Sequence, residues 1–292
     1  MVDLVLTPAE SRVAEGLVLT PRKSFHGTTK GERTTTRRGV SIDFADYREY
    51  SDGDDLRHLD WNVLARLDSA IVKTYRDEQD LSVFLALDSS QSMGFGEPSK
   101  LDFARRVACA IGMTALTGGD SVTPLELGRR PKPAASLRGR NAYPRLARWA
   151  RSAQPGDGPS LSDSLRMNLQ VLKTVGLLVV ISDCLDPNLF PVLRLAAGRG
   201  HELYVIQTLG PEDVDPDLEG DLRLIDADGH GPEIETTASA GVIEQYKKNL
   251  WAHVEEVGNV VRKAGGRHLW VQTDSLLTQV LTHRLLREGW VA

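Results

Sequence analysis

Apolar and polar residues alternate in two different rhythms along this chain, and the rhythm changes near residue 80. From there the run Leu81-Ser82-Val83-Phe84-Leu85-Ala86-Leu87 is nearly continuous in apolar character, as expected of a strand buried on both faces. Residues 100–117 then place Leu101, Phe103, Ala104, Val107, Ile111 and Ala115 at helical spacing, and Gly118-Gly119-Asp120 supplies the stop. A strand follows at 121–127, then a basic, Pro-containing loop or short edge strand at 129–140. Two amphipathic helices are expected at 143–153 and 161–173, separated by the turn cluster Pro155-Gly156-Asp157-Gly158-Pro159. The pattern continues with a strand at 176–181, a helix at 187–199 and a strand at 202–208. A hairpin at 222–225 and 232–236 turns through Asp226-Ala227-Asp228-Gly229. A helix over 239–264, a strand at 268–272 and a helix at 275–286 complete the series.

Strands alternating with helices, the strands themselves apolar, predict an α/β fold. The expected architecture is a doubly wound, mostly parallel sheet with helices on both faces. Before residue 80 the grammar differs. Residues 3–20 suggest a helix or irregular lead-in, 30–38 are basic and Thr-rich, and 43–80 are polar and acid-rich with a strand at 70–75. The division is therefore placed at 1–78, a small β-containing N-terminal segment, and 79–292, the α/β domain, with a hairpin insertion near 220–237. No internal repeat or low-complexity segment interrupts either part.

Composition narrows the function classes. With 292 residues, 41% of them hydrophobic, and a formal net charge of -5, nothing global favours nucleic acid or an anionic membrane. Cys109 and Cys184 are too few for a disulfide framework and sit among apolar neighbours, so buried, reduced thiols are expected. The longest strongly apolar stretch, 175–181, is far short of the roughly 20 residues that cross a bilayer. The N-terminus lacks a signal-type apolar core. A soluble, cytoplasmic protein without membrane insertion is the expectation.

The candidate chemistry sits where the first apolar strand ends. Asp88-Ser89-Ser90-Gln91-Ser92 places a carboxylate and two hydroxyls, Asp88, Ser90 and Ser92, on one tight loop. Hard oxygens of this kind suit Mg²⁺ or Mn²⁺. In a doubly wound sheet other loops converge at the carboxyl ends of the strands. Asp183, after strand 176–181, and Ser160, with Ser162 near it, before helix 161–173, are the candidates to complete an oxygen sphere. The plain alternative is that the Asp residues cap or close turns and the Ser residues make turn hydrogen bonds. No Lys or His is evident beside the loop, and neither a zinc-type His cluster nor a phosphate loop at Gly94-Phe95-Gly96 nor a nucleophile elbow occurs. The acids Asp52, Asp54, Asp55 and Asp60 lack the spacing of a calcium loop. Arg48, Arg57, Arg66, Asp55, Asp60 and Glu78 suggest charge-assisted pairs, and Trp61 a core anchor.

Two resemblances rest on these residues. Asp88-x-Ser90-x-Ser92 after an apolar strand resembles the first signature of von Willebrand factor type A domains and their metal-ion-dependent adhesion site. The upstream block is similar to the bacterial domain-of-unknown-function 58 family: Gly39-Val40-Ser41-Ile42-Asp43-Phe44, Arg48-Glu49-Tyr50, Gly53-Asp54-Asp55-Leu56-Arg57-His58-Leu59-Asp60-Trp61, Ala65-Arg66 and Val72-Lys73-Thr74-Tyr75-x-x-Glu78. In that family the block precedes a type A-like domain. The similarity runs from about residue 27 to the C-terminus. It implies a site at Asp88, Ser90, Ser92 and Asp183, and a partner among AAA+ ATPases of the MoxR type or their clients. The departure is at Gly158-Pro159-Ser160, where type A domains carry a Thr, so that Ser160 stands in only with a one-residue shift of the loop.

The function expected from this is a non-enzymatic interaction or adaptor module with Mg²⁺ or Mn²⁺ at an adhesion-type site. A metal-dependent phosphoester hydrolase is the alternative from another class, and Ser90 stands where a haloacid-dehalogenase-like pattern needs a second Asp. A structural scaffold with a vestigial metal site is the third.

Overall fold

Strand β3 (Ser82–Asp88) sits inside a six-stranded sheet, and the order of that sheet decides which loops meet. The order is β10 (Arg267–Gln272), β7 (Glu202–Leu209), β6 (Leu177–Ser182), β3, β4 (Ser121–Leu127) and β5 (Leu137–Arg138). All neighbours are parallel except β5, which runs antiparallel to β4 and pairs only with Ser121 and Val122. The computed structural model describes residues 5–23, 43–51, 59–67, 69–76, 81–132, 135–229, 231 and 233–292.

Period-two alternation on β3 explains how the core is divided, because successive strand residues point to opposite faces. Val83, Leu85 and Leu87 join one hydrophobic cluster with side chains of α3 (Lys100–Thr117), α4 (Tyr143–Ser152) and the C-terminal helical segment. That segment begins as α9 (Leu277–Gln279) and continues through a π-type turn at Val280–Leu285. Phe84 and Ala86 join a second cluster with α5 (Leu161–Val171), α6 (Leu189–Gly198) and α8 (Ala240–Lys263). The helix ends expected from the periodicity differ from these by a residue or two, the usual fraying of terminal turns.

Contact density separates two units, Met1–Phe25 with Leu81–Ala292, and His26–Asp80. The lead-in expected in the N-terminal segment thus packs in the larger unit. Its helix α1 (Pro8–Glu15) opens with a capping box in which Thr7 and Glu10 satisfy each other's backbone N–H groups. The Thr114 hydroxyl donates to the Ala14 carbonyl at 2.8 Å, and Arg106 pairs with Glu10. Short α7 (Pro211–Val214) follows β7, and β8 (Gly220–Leu224) with β9 (Ile234–Ala238) forms an antiparallel hairpin.

The smaller unit holds β1 (Asp43–Glu49) paired antiparallel with β2 (Ile71–Arg76), and α2 (Trp61–Leu67). Asp60 caps α2, its Oδ1 accepting from the Asn62 and Val63 N–H groups at 3.0 and 3.3 Å. Trp61 is not a core anchor: it is 60% exposed, while Leu59 and Val72, joined by a β-bridge, are buried. As the first residue of α2 it turns its indole outward. The basic run 30–38, the motif stretches 39–42 and 52–58, and Glu78 lie outside the described residues, as does the Arg48 side chain.

Candidate functional site

The sheet order reverses at β3: the chain steps from β3 to β4 on one side and then to β6 on the other. The carboxyl ends of β3 and β6 therefore flank a topological switch point, where α/β sheets open a crevice. Asp88 ends β3, Ser182 ends β6, and Asp183 follows it directly.

The loop after β3 is folded by its own polar groups. Asp88 Oδ1 accepts from the Ser90 N–H at 2.9 Å, an Asx-type turn, and Asp88 Oδ2 accepts from the Ser182 hydroxyl at 2.6 Å. The Ser90 and Ser92 hydroxyls lie 3.1 Å apart. Backbone crowds this loop so tightly that two glycines are obligatory. A Cβ on Gly128, whose φ is +80°, would stand 2.8 Å from the Ser90 nitrogen, and one on Gly158 would stand 1.8 Å from the Gly128 oxygen. Asp88 is 1% exposed. Burial, and then repulsion from Asp183, push its carboxyl up to about 6 against the hydrogen bonds that favour the anion.

Asp183 belongs to a second cluster. Lys100, the first residue of α3 and itself buried, donates from Nζ to Asp183 Oδ2 at 2.9 Å and lies 3.3 Å from Asp213 Oδ2. Burial works against the charged amine, but attraction to Asp183 and then Asp213 outweighs it and raises the Lys100 pKa. The expectation of no Lys beside the loop is overturned by Lys100, whose partner Asp183 lies on the neighbouring strand end. The one signal was its position: a cation at a helix N-terminus opposes the helix dipole and needs a compensating anion.

Ser160 belongs to a third cluster. It caps α5, accepting from the Asp163 N–H at 3.2 Å, and its hydroxyl lies 3.1 Å from that of Ser162. Asp186 closes this group by accepting from the Ser162 N–H at 2.8 Å and the Asn188 N–H at 2.7 Å. Burial raises the Asp186 pKa, but these bonds outweigh it and hold the carboxyl below its usual value.

Ser90 and Ser160 meet as lining residues of one small hollow of about 10 Å³, together with Gly156, Asp157 and Asp228. Asp228, at the tip of the β8–β9 hairpin, accepts from the Ser92 N–H at 2.9 Å. The structure thus brings Asp88, Ser90 and Ser92 together, with Ser160 across the hollow, and ties Asp183 to Lys100. Sequence reasoning missed Ser182, Lys100, Asp186, Asp213 and Asp228, whose roles depend on strand order and on the hairpin's path.

By donor type the Asp88, Ser90, Ser92 and Ser160 oxygens fit a hard cation, with Asp183 engaged by an ammonium. Among the described residues there is no group of three or more His, Cys, Asp or Glu side chains placed to hold a metal. The cluster would therefore rest on hydroxyls. Both cysteines are free and buried, and no helix among the described residues is long and apolar enough to cross a membrane.

Comparison with known proteins bears on the family. The model of the family described as Protein of unknown function DUF58 matches residues 46–256, and the chain belongs to that family. Two relatives are Uncharacterized protein Mb1516 of Mycobacterium bovis and Uncharacterized protein Rv1480 of Mycobacterium tuberculosis. Each is 28% identical over 266 residues, covering 88% of this chain and 83% of the relative. Among solved structures, the conserved hypothetical protein BatB from Bacteroides thetaiotaomicron is 17% identical with a TM-score of 0.43, over 71% of this chain and 98% of that one. An aerotolerance-related membrane protein from Bacteroides fragilis is 15% identical with a TM-score of 0.46, over 72% and 98%. Neither structural likeness is close enough to carry an argument about this chain.

Proposed function

We propose that this member of the DUF58 family is a non-enzymatic, cytoplasmic interaction module whose larger unit is von Willebrand factor type A-like. Its Asp88–Ser92 loop docks an acidic residue of a protein partner through a divalent cation. The partner class proposed is a MoxR-type AAA+ ATPase or its client. The observation that carries this reading is the meeting of Ser90 and Ser160 around one hollow at the switch point, with Asp88 buried behind them. Asp88, Ser90, Ser92 and Ser160 would hold Mg²⁺ or Mn²⁺, which would supply a positive charge for the partner's carboxylate. Lys100 keeps a second carboxylate, Asp213, within 3.3 Å, so Asp183 can exchange its ammonium without leaving that charge bare. Two reduced, buried thiols agree with a reducing compartment.

The test is capture of the partner by the tagged full chain from native extract. Retention of a MoxR-type ATPase in Mg²⁺, lost in EDTA and lost in Asp88→Ala, is the expected result. Equal capture in EDTA would refute it.

One observation favours a different reading, the scaffold with a vestigial site. The Lys100–Asp183 pair already balances one of the two buried carboxylates without any metal. On that reading neither Mg²⁺ nor Mn²⁺ would raise the thermal midpoint. The hydrolase reading gains a cation in Lys100 but no nucleophile, since Asp88, the one carboxylate of its loop, would be committed to holding the cation. Turnover of generic phosphoesters with Mg²⁺ or Mn²⁺ would revive it.

A further inference from the structure

On the opposite side of β4 from β3, the structure carries a feature that the docking loop does not use. Residues 127–156 contain eight Arg or Lys and no Asp or Glu, in a chain whose formal net charge is -5. The fold gathers part of this segment around a groove of about 300 Å³. Its floor is apolar, made by Leu125 and Leu137, which are buried, and by half-buried Trp149. Its rim carries Arg130, Lys132 and Arg145, all exposed. One carboxylate, Glu126, also lines the groove; it is paired with Arg129, as Glu15 is with Arg140, and no ion pair among the described residues engages the three rim cations.

We infer that this groove is a docking surface for an acidic, extended peptide segment of a partner protein that carries an aliphatic side chain as its anchor. An apolar floor ringed by cations matches such a segment in both respects. The anchor would cover the indole and the leucines, and the flanking carboxylates would meet the rim. Strand addition is disfavoured, because β5 covers β4 only at Ser121 and Val122 and the next outward-facing position is Pro124, which has no N–H to donate. Recognition therefore rests on side chains. A long nucleic acid fits less well: its phosphates would run off this short strip onto an acidic protein, and the apolar floor would go unused. An anionic membrane would need a flat or protruding face rather than a concave one.

The experiment is fluorescence anisotropy of a short labelled peptide of alternating Asp and Glu with a central Leu, titrated with the full chain. Saturable binding that weakens with added salt is expected. The same peptide with Gly for Leu should bind about tenfold more weakly. Arg130→Glu with Arg145→Glu should lower affinity by at least about tenfold without moving the thermal midpoint, and Arg145→Gln should give a smaller loss. Absence of saturable binding would overturn the inference, as would unchanged affinity in the double reversal. Tighter binding of single-stranded DNA or phosphatidylserine vesicles than of the peptide would overturn it in favour of those ligands.

Discussion

At the carboxyl ends of β3 and β6, Asp88 accepts from the Ser182 hydroxyl and Asp183 from the Lys100 ammonium, all four side chains buried; along the groove beside β4, three exposed cations stand without an ion pair among the described residues. The two regions handle charge in opposite ways because solvent treats them differently. A buried charge without a partner is very costly, so Lys100, Asp183 and Asp213 had to be brought together by the fold. An exposed cation costs little to leave unpaired, so its free state is available for a partner. Buried polar residues here are thus expected to govern stability and metal access, and exposed ones recognition.

The strongest way to break this contrast is Lys100→Met. Removing one member of a buried pair leaves the other charge uncompensated, so a loss of about 3–5 kcal/mol is expected from urea unfolding. A loss under about 1 kcal/mol would mean that the pair is wetter than its burial indicates. Next is Asp88→Ala, which strips the acceptor from the Ser182 hydroxyl and from the Ser90 N–H, for an expected cost of about 1–3 kcal/mol. On the groove, reversal of Arg130 and Arg145 should stay within about 0.5 kcal/mol of the parent. A larger change would show that those charges carry structure after all.

His268 sharpens the comparison with a half-buried group that stays neutral down to about pH 4. Its Nε2 lies 3.0 Å from Gln207 Oε1, and Gln207 Nε2 donates to the Asp183 carbonyl at 2.8 Å. Burial, then the nearby Arg262, pushes the imidazole down to about 4. Between pH 6.5 and about 4 the unfolded chain therefore takes up a proton that the folded chain refuses, and stability falls as pH falls. The slope from this group is at most about 1.4 kcal/mol per pH unit. His268→Gln should flatten it in paired unfolding curves at pH 7 and pH 5, and identical slopes would remove the effect.

Much of the larger unit was legible in the sequence because each strand carries its own signal. The runs at β3, β6 and β7 are apolar enough to specify burial alone, and α3 carries its periodicity through four turns before its Gly stop. The turn at Asp88 was legible too, since Asp followed by Ser closes locally. Lys100 was not: its partner lies 83 residues downstream and meets it only because β6 docks beside β3. Ser160 was placed near the loop, but the carboxylate its hydroxyl supports is Asp186, set by the path after β6. Asp228 depends on where a hairpin tip lands, which no local pattern encodes. Trp61 failed differently, because an aromatic residue in a charged block implies burial only when its helix turns that face inward.

The central claim is that the Asp88 loop holds a divalent cation for a partner rather than merely closing a turn. Isothermal titration of the full chain with Mg²⁺ tests it most directly, with Asp88→Ala titrated alongside under the same folded conditions. The account predicts one saturable site in the parent, absent in Asp88→Ala, with a matching rise in thermal midpoint for the parent alone. Neither heat nor thermal shift in the parent would contradict it and leave the cluster as a buried polar scaffold balanced by Lys100.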